Sequence, residues 1–248
     1  MNAESRSAGW YVDHLLADVE RFAAAVEHGA LDAPIEACPG WDLRHLTHHL
    51  GGVHRWARRS AATARQPESF GTETPDDDEL AEWLRTGAHE LAETLLAIDP
   101  TGPTWSPFPV EQVGAIWPRR QAMETMVHRW DAETAVGIRA TLDAELASDG
   151  IDEYFAIALP RLIQRGRAHP PTGSLHLHCT DIAGEWLIWT EGSELKIIRE
   201  HRKGDAALRG PAEAILLKLW NRKTPRADEL SRVGDESVLD AWLTIAGM

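Results

Sequence analysis

The spacing of the apolar residues changes near residue 170, and this change constrains the fold more than any other feature of the chain. Before it, apolar residues recur at helical spacing; after it, short β-branched and aromatic runs alternate between glycine-containing turns. The sequence therefore predicts an α+β protein of two domains. A helical bundle is expected over residues 1–170 and a small α+β domain over residues 171–248.

The bundle is predicted to contain five helices, over about residues 10–28, 42–63, 77–98, 116–136 and 143–168. Asp42 is expected to cap the second helix, and the acidic run at 76–79 to start the third. Pro160 is expected to kink or split the fifth, because proline removes a backbone donor. Four strands are predicted in the second domain, at about 174–179, 185–190, 194–199 and 206–209, with helices after residue 210 and from about 236.

The charge balance excludes several classes of protein. With 25 basic and 39 acidic residues the net charge is −14, which opposes binding to phosphate backbones and anionic lipid. We expect neither nucleic acid nor a membrane as a partner. No apolar run approaches the roughly 18 to 20 residues of a membrane span, and the first ten residues lack a signal pattern. A cytoplasmic monomer is therefore expected, in which Cys38 and Cys179 are structural rather than paired or metal-binding.

Three histidines lie within five residues of the predicted second helix, at positions 45, 48 and 49. At about 100° per residue, His48 falls among the arginines on the solvent side. His49 and, less well placed, His54 point toward the apolar stripe. An inward histidine is most often a hydrogen-bonded core residue, so His49 alone predicts no function.

Glu124 and His128 are four residues apart on the predicted fourth helix and are therefore neighbours on one face. If Arg119, Arg129 and Glu133 mark the solvent side, this pair lies roughly 140 to 180° away from it and points inward. An inward carboxylate needs a partner, because burying an unpaired charge is unfavourable.

That partner can be structural or catalytic. Arg120, one turn before Glu124, or His128 would give a structural pair. Two histidines and a carboxylate from facing helices also form metal sites in bundles, with one position left open. Such a set suits catalytic Zn²⁺ and equally non-haem Fe(II), and spacing leaves all of these open.

Four segments resemble the mycothiol-dependent maleylpyruvate isomerase family, in the order in which that family has them. They are CPGWDLRHLTHHLGGVHRW at 38–56, RQAMETMVHRWDA at 120–132, LHLHCTDIAGEW at 175–186 and HRKGDAALRGP at 201–211. The resemblance touches both predicted domains and nearly the whole length of the chain.

This resemblance implies a DinB-like bundle that carries a divalent metal, usually zinc, followed by the smaller C-terminal domain of the family. The implied ligands are His49, which precedes Leu50, with Glu124 and His128. These are the residues that the helical spacing turns inward. His48 remains the other candidate, because the doubled histidine allows a shift of one position. The implied cofactors are Zn²⁺ and mycothiol.

A cation would convert the thiol of mycothiol, whose pKa is about 8.5 when free, into a nucleophilic thiolate. The thiolate could add to a conjugated cis double bond and leave again, giving cis–trans isomerisation, or stay attached, giving S-conjugation. A small anionic electrophile is the expected substrate. Its candidate anchors are Arg120, Arg209 and Arg222, each of which has a structural interpretation as well.

Two other functions remain open from the residues alone. The same metal could serve a hydrolase or a transferase that uses bound water or another thiol. The chain could also be a metal- or ligand-binding protein without turnover. His176 and His178 share one face of a predicted strand and could bind a metal, although we expect them to be exposed on a sheet surface.

Overall fold

The computed structural model describes residues 6–69, 75–192 and 194–245. Its contacts divide the chain into two compact units. Among the described residues, one unit comprises those up to Pro107 together with Glu111–Thr141, and the other comprises Phe108–Val110 together with those from Leu142 onward. None of the described helices is long and apolar enough to cross a membrane.

The first unit is a bundle of four helices: α1 (Ala8–His28), α2 (Leu43–Thr63), α3 (Leu80–Ala97) and α4 (Ile116–Ala135). Helices α1 and α2 each pack against both α3 and α4. Asp42 caps α2 as predicted, because its carboxylate accepts from the backbone N–H of His45 at 2.8 Å. Helix α3 begins three residues later than predicted, at Leu80, and Asp77 before it pairs with Arg44 at 2.7 Å.

Helix α4 is buried on nearly all sides, which corrects one expectation. Arg129 and Glu133 do not mark a solvent face, since they are only 1% and 3% exposed. The guanidinium of Arg129 donates to Asp18 of α1 at 2.9 Å and to Glu133 at 2.8 Å, and Arg21 of α1 donates to Glu133 at 2.8 Å. These charges are tolerated inside the bundle because each has a hydrogen-bonded counter-charge.

The second unit surrounds one five-stranded sheet. Its strands are β1 (Leu175–Cys179), β2 (Glu185–Glu191), β3 (Glu194–Ile198), β4 (Ala206–Gly210) and β5 (Ser231–Gly234). Their order is β3-β2-β1-β4-β5, with β1 and β4 parallel and the other neighbours antiparallel. Strand β5 was not predicted, because all four of its residues are exposed and show no alternation. Its helices are α5 (Ala144–Glu153), α6 (Leu159–Gln164), α7 (Ala212–Leu219) and α8 (Glu236–Leu243).

The predicted fifth helix belongs to this second unit. It consists of α5, a π-helical turn at Tyr154–Ala158 and α6. The split expected at Pro160 is therefore a change from α-helical to π-helical pitch just before that proline. Helix α5 packs on α7, and the indole of Trp186 donates to Asp152 of α5 at 3.1 Å. The change of spacing at residue 170 thus lies inside a compact unit that begins at Leu142.

Candidate metal centre

His49 of α2 and the pair Glu124 and His128 of α4 meet inside the bundle. The Nε2 atoms of His49 and His128 lie 3.3 Å and 3.4 Å from the same oxygen, Oε1 of Glu124. One ligand atom from each of the three side chains lies within 4.8 Å of the others. Ligand atoms in a tetrahedral zinc site, with bonds of about 2.0 to 2.1 Å, are about 3.3 to 3.4 Å apart. The donor set and its spacing around Glu124 therefore fit a divalent cation.

Asp131 contacts His128 on the side of the ring away from Glu124. Its carboxylate, only 1% exposed, lies 3.1 Å from Nδ1 of His128. If Nδ1 carries the proton and donates to Asp131, the lone pair of His128 is on Nε2, the atom beside Glu124. Asp131 is not among the residues predicted from the sequence. Its spacing of three residues from His128 on the same helix is the signal that could have found it.

Arg120 occupies the other oxygen of Glu124. Its Nη2 donates to Oε2, while Oε1 faces the two histidines. The structural partner that the sequence suggested is thus present at the same carboxylate as the candidate ligands. Burial raises the pKa of Glu124, but the charge of Arg120 and hydrogen bonds with His128 and His49 outweigh it and hold that pKa well below its ordinary value. Glu124 is therefore ionised, as a metal ligand must be.

The protonation of His128 follows from the same contacts. Burial acts to lower its pKa, but the hydrogen bonds with Asp131 and Glu124 prevail and raise it to about 9. Without a cation His128 is therefore protonated at neutral pH. A metal ion that takes up Nε2 must displace this proton.

The remaining candidates on α2 lie outside this cluster. The ring of His48 lies 5.9 Å from that of Trp83, and His48 is not part of the group formed by His49, Glu124 and His128. His54 is fully buried with Nε2 2.9 Å from the hydroxyl of Thr125, as expected of a hydrogen-bonded core histidine.

Arg209 and Arg222 belong to the second unit. Arg209 is exposed on β4, opposite His178 of β1 in the register. Arg222 is buried and donates to the backbone carbonyl of Trp220 at 2.8 Å. Both cysteines are buried and neither forms a disulfide, and burial raises the pKa of Cys179 to about 12, so this thiol is protonated at neutral pH.

Comparison with known proteins identifies the family. A family model described as the mycothiol maleylpyruvate isomerase N-terminal domain matches residues 12–133, and the family's C-terminal domain model matches residues 145–241. The chain belongs to the mycothiol-dependent maleylpyruvate isomerase family. The N-terminal match covers all three candidate ligands, and the C-terminal match begins within three residues of Leu142, where the second compact unit starts.

Solved structures share the fold of this chain. A crystal structure of the mycothiol-dependent maleylpyruvate isomerase has a TM-score of 0.61 with 10% identity, over 92% of this chain and 93% of that one. A crystal structure of a mutant of that isomerase gives 0.60 with the same identity and coverage. No curated protein matches the chain. The predicted α+β fold, with a helical bundle before a small sheet domain, is confirmed.

Proposed function

We propose that this chain is a zinc-dependent enzyme that uses mycothiol to attack a small, anionic, electrophilic substrate. His49, Glu124 and His128 are the proposed metal ligands. The observation that carries the proposal is the convergence of two imidazole Nε2 atoms on one carboxylate oxygen, at 3.3 Å and 3.4 Å, in a chain of this family.

When bound, the cation would favour the thiolate form of mycothiol over the thiol. The residues of the chain prepare the site for that role. Three protein ligands would leave one position of a bound zinc ion open to an external ligand. Asp131 holds the ring of His128, and Arg120 holds the second oxygen of Glu124, so two of the three ligands are fixed in advance.

Access to the centre comes from the side of His49. Its side chain is 30% exposed, compared with 9% for that of His128. The indole of Trp41 packs on the same imidazole, with ring centroids 4.9 Å apart, and gives this side an apolar wall. We propose Arg120 as the anchor for the anionic group of the substrate, because a guanidinium has five N–H donors and can serve Glu124 and a second acceptor.

Attack by the mycothiol sulfur can lead to two different products. Addition of the sulfur to a conjugated double bond followed by its loss gives cis–trans isomerisation, whereas retention of the sulfur gives a conjugate. We propose isomerisation, since the family is named for that activity. Mass spectrometry of the product decides between them, because only conjugation adds the mass of mycothiol.

The test measures metal content and turnover together. Elemental analysis of the purified chain should show zinc, and Glu124→Gln and His49→Ala should each lose one equivalent of it along with mycothiol-dependent turnover. His89→Ala, an exposed histidine on α3 outside the cluster, is the matched control and should retain both.

The competing functions give different results. Turnover that persists without mycothiol would support a hydrolase or a transferase using another thiol. Metal binding with no turnover of any electrophile would support a binding protein. Unchanged zinc in both ligand variants would refute the site. The monomeric state and the cytoplasmic location remain predictions from the sequence.

A further inference from the structure

A second group of potential metal ligands lies on the sheet of the other compact unit. His176 and His178 are two residues apart on β1 and therefore share one face of the sheet. Glu185 of β2 is the register partner of His178, and His201 comes from the segment between β3 and β4. One ligand atom from each of these four side chains lies within 4.8 Å of the others.

The carboxylate of Glu185 is the hub of this group. It accepts from Nδ1 of His178 and lies 3.0 Å from Nδ1 of His201. The ring of His176 stands at 90° to that of His201, with centroids 5.1 Å apart. Three imidazoles therefore surround one carboxylate. Zinc and other first-row transition metals bind such a nitrogen-rich set of donors, whereas Mg²⁺ and Ca²⁺ prefer oxygen ligands.

His176 supplies an independent observation. Its side chain was expected to be exposed, yet the residue is only 8% exposed. Its Nε2 is buried and has no hydrogen-bond partner among the described residues. A buried polar atom without a partner is unfavourable and is rare in folded proteins.

We propose that His176, His178, Glu185 and His201 form a second metal site, which binds a zinc-class divalent cation. A cation bound at Nε2 of His176 would give that buried atom the partner that the described residues do not supply. Four protein ligands complete a tetrahedron, which is typical of a structural site rather than a catalytic one. The bound ion would tie the segment between β3 and β4 to the β1–β2 pair.

The spread of up to 4.8 Å is wider than the edge of a zinc tetrahedron, which is about 3.4 Å. The side chain of His201 is 76% exposed and lies outside the strands, so it is free to close this difference. The other three ligands are held by the paired strands β1 and β2.

The test counts zinc equivalents in the full chain by titration against a chromophoric chelator. Wild type should bind two. His49→Ala should bind one, which isolates the proposed second site. His201→Ala and Glu185→Gln should each bind one equivalent tightly. Any zinc that remains at the second site of these variants should bind at least tenfold more weakly than in wild type. His169→Ala, an exposed histidine of the same compact unit outside the cluster, should bind two. Circular dichroism of each variant is the control that it is folded.

The outcomes separate this proposal from the proposed function. One equivalent in wild type that is lost in His49→Ala overturns the second site and leaves the bundle site intact. One equivalent that is lost in His201→Ala and kept in His49→Ala supports the second site and refutes the first. Retention of two equivalents with unchanged affinity by His201→Ala or by Glu185→Gln also overturns the second site.

Discussion

Replacing Asp131 by asparagine tests whether the bundle site is organised for a metal. Asp131 is buried, and its carboxylate lies 3.1 Å from Nδ1 of His128. Asparagine has nearly the same shape, so the packing of α4 is preserved. Its side-chain oxygen still accepts a hydrogen bond from Nδ1, and only the negative charge is lost. The change therefore isolates the electrostatic support of one ligand.

The size of the effect follows from that difference. A hydrogen bond to a charged group contributes about 1.5 to 3 kcal/mol and one between neutral groups about 0.5 to 1.5 kcal/mol, so about 1 to 1.5 kcal/mol is lost. Since 1.4 kcal/mol is a factor of ten, the zinc affinity of the bundle site, measured above pH 9 where no proton has to leave His128, should fall about tenfold in Asp131→Asn. Asp131→Ala also loses the hydrogen bond and should approach the hundredfold end of the range for residues behind a metal ligand.

The assay is zinc competition against a chelator of known affinity, with a matched control elsewhere in the bundle. Asp18→Asn also neutralises a buried carboxylate, but its partner is Arg129 and not a candidate ligand. It should lower the free energy of unfolding without changing zinc affinity. If Asp131→Asn binds zinc as tightly as wild type, or if both variants weaken binding equally, Asp131 does not act through His128.

Three further predictions concern the folded state. Arg129→Met should reduce the free energy of unfolding by about 3 to 5 kcal/mol in a urea titration, because it leaves Asp18 without the guanidinium beside it; a loss below 1 kcal/mol would contradict this account. Burial lowers the pKa of His54 to about 3, from 6.5, so the unfolded chain takes up a proton between these values that the folded chain does not. His54 should therefore lower the free energy of unfolding by about 1.4 kcal/mol per pH unit as the pH drops from 6.5 toward 3. This contribution, measured by denaturant unfolding with a chelator present, should be absent in His54→Leu. Cys179, whose pKa burial raises to about 12, should react with a thiol reagent only after the protein unfolds, and rapid reaction of the native protein at pH 8 would refute this.

Local spacing was enough to predict part of the site and not the rest. Glu124 and His128 lie one helical turn apart, so any helix through them places them side by side. The direction in which they point was inferred from Arg129 and Glu133 as a solvent face, and that premise was wrong. Helical spacing gives the angle between residues and does not show which side is covered. The counter-charges of Arg129 and Glu133 come from Asp18 and Arg21, which are more than a hundred residues away in sequence.

The second unit shows the same limit in a sheet. The alternation of β1 predicted correctly that His176 and His178 share a face, because side chains repeat every two residues in a strand. It did not predict that His176 is buried, since that depends on what covers the face. His201 joins the group from a segment without regular structure, and no period connects it to β1.

Under the proposed function, the structural and the catalytic interpretations of Glu124 describe two states of one site. Without a cation, the carboxylate is balanced by Arg120 and by His128, whose pKa is raised to about 9. A divalent cation would take the place of the proton on His128, while Arg120 keeps its own oxygen of Glu124. With Asp131 counted, the group is neutral while His128 is protonated, and a divalent cation in place of that proton would leave one positive charge, which a bound thiolate would balance. For this reason an ion pair at these positions does not argue against the proposed metal centre, because it would keep the proposed ligands close together before a cation binds.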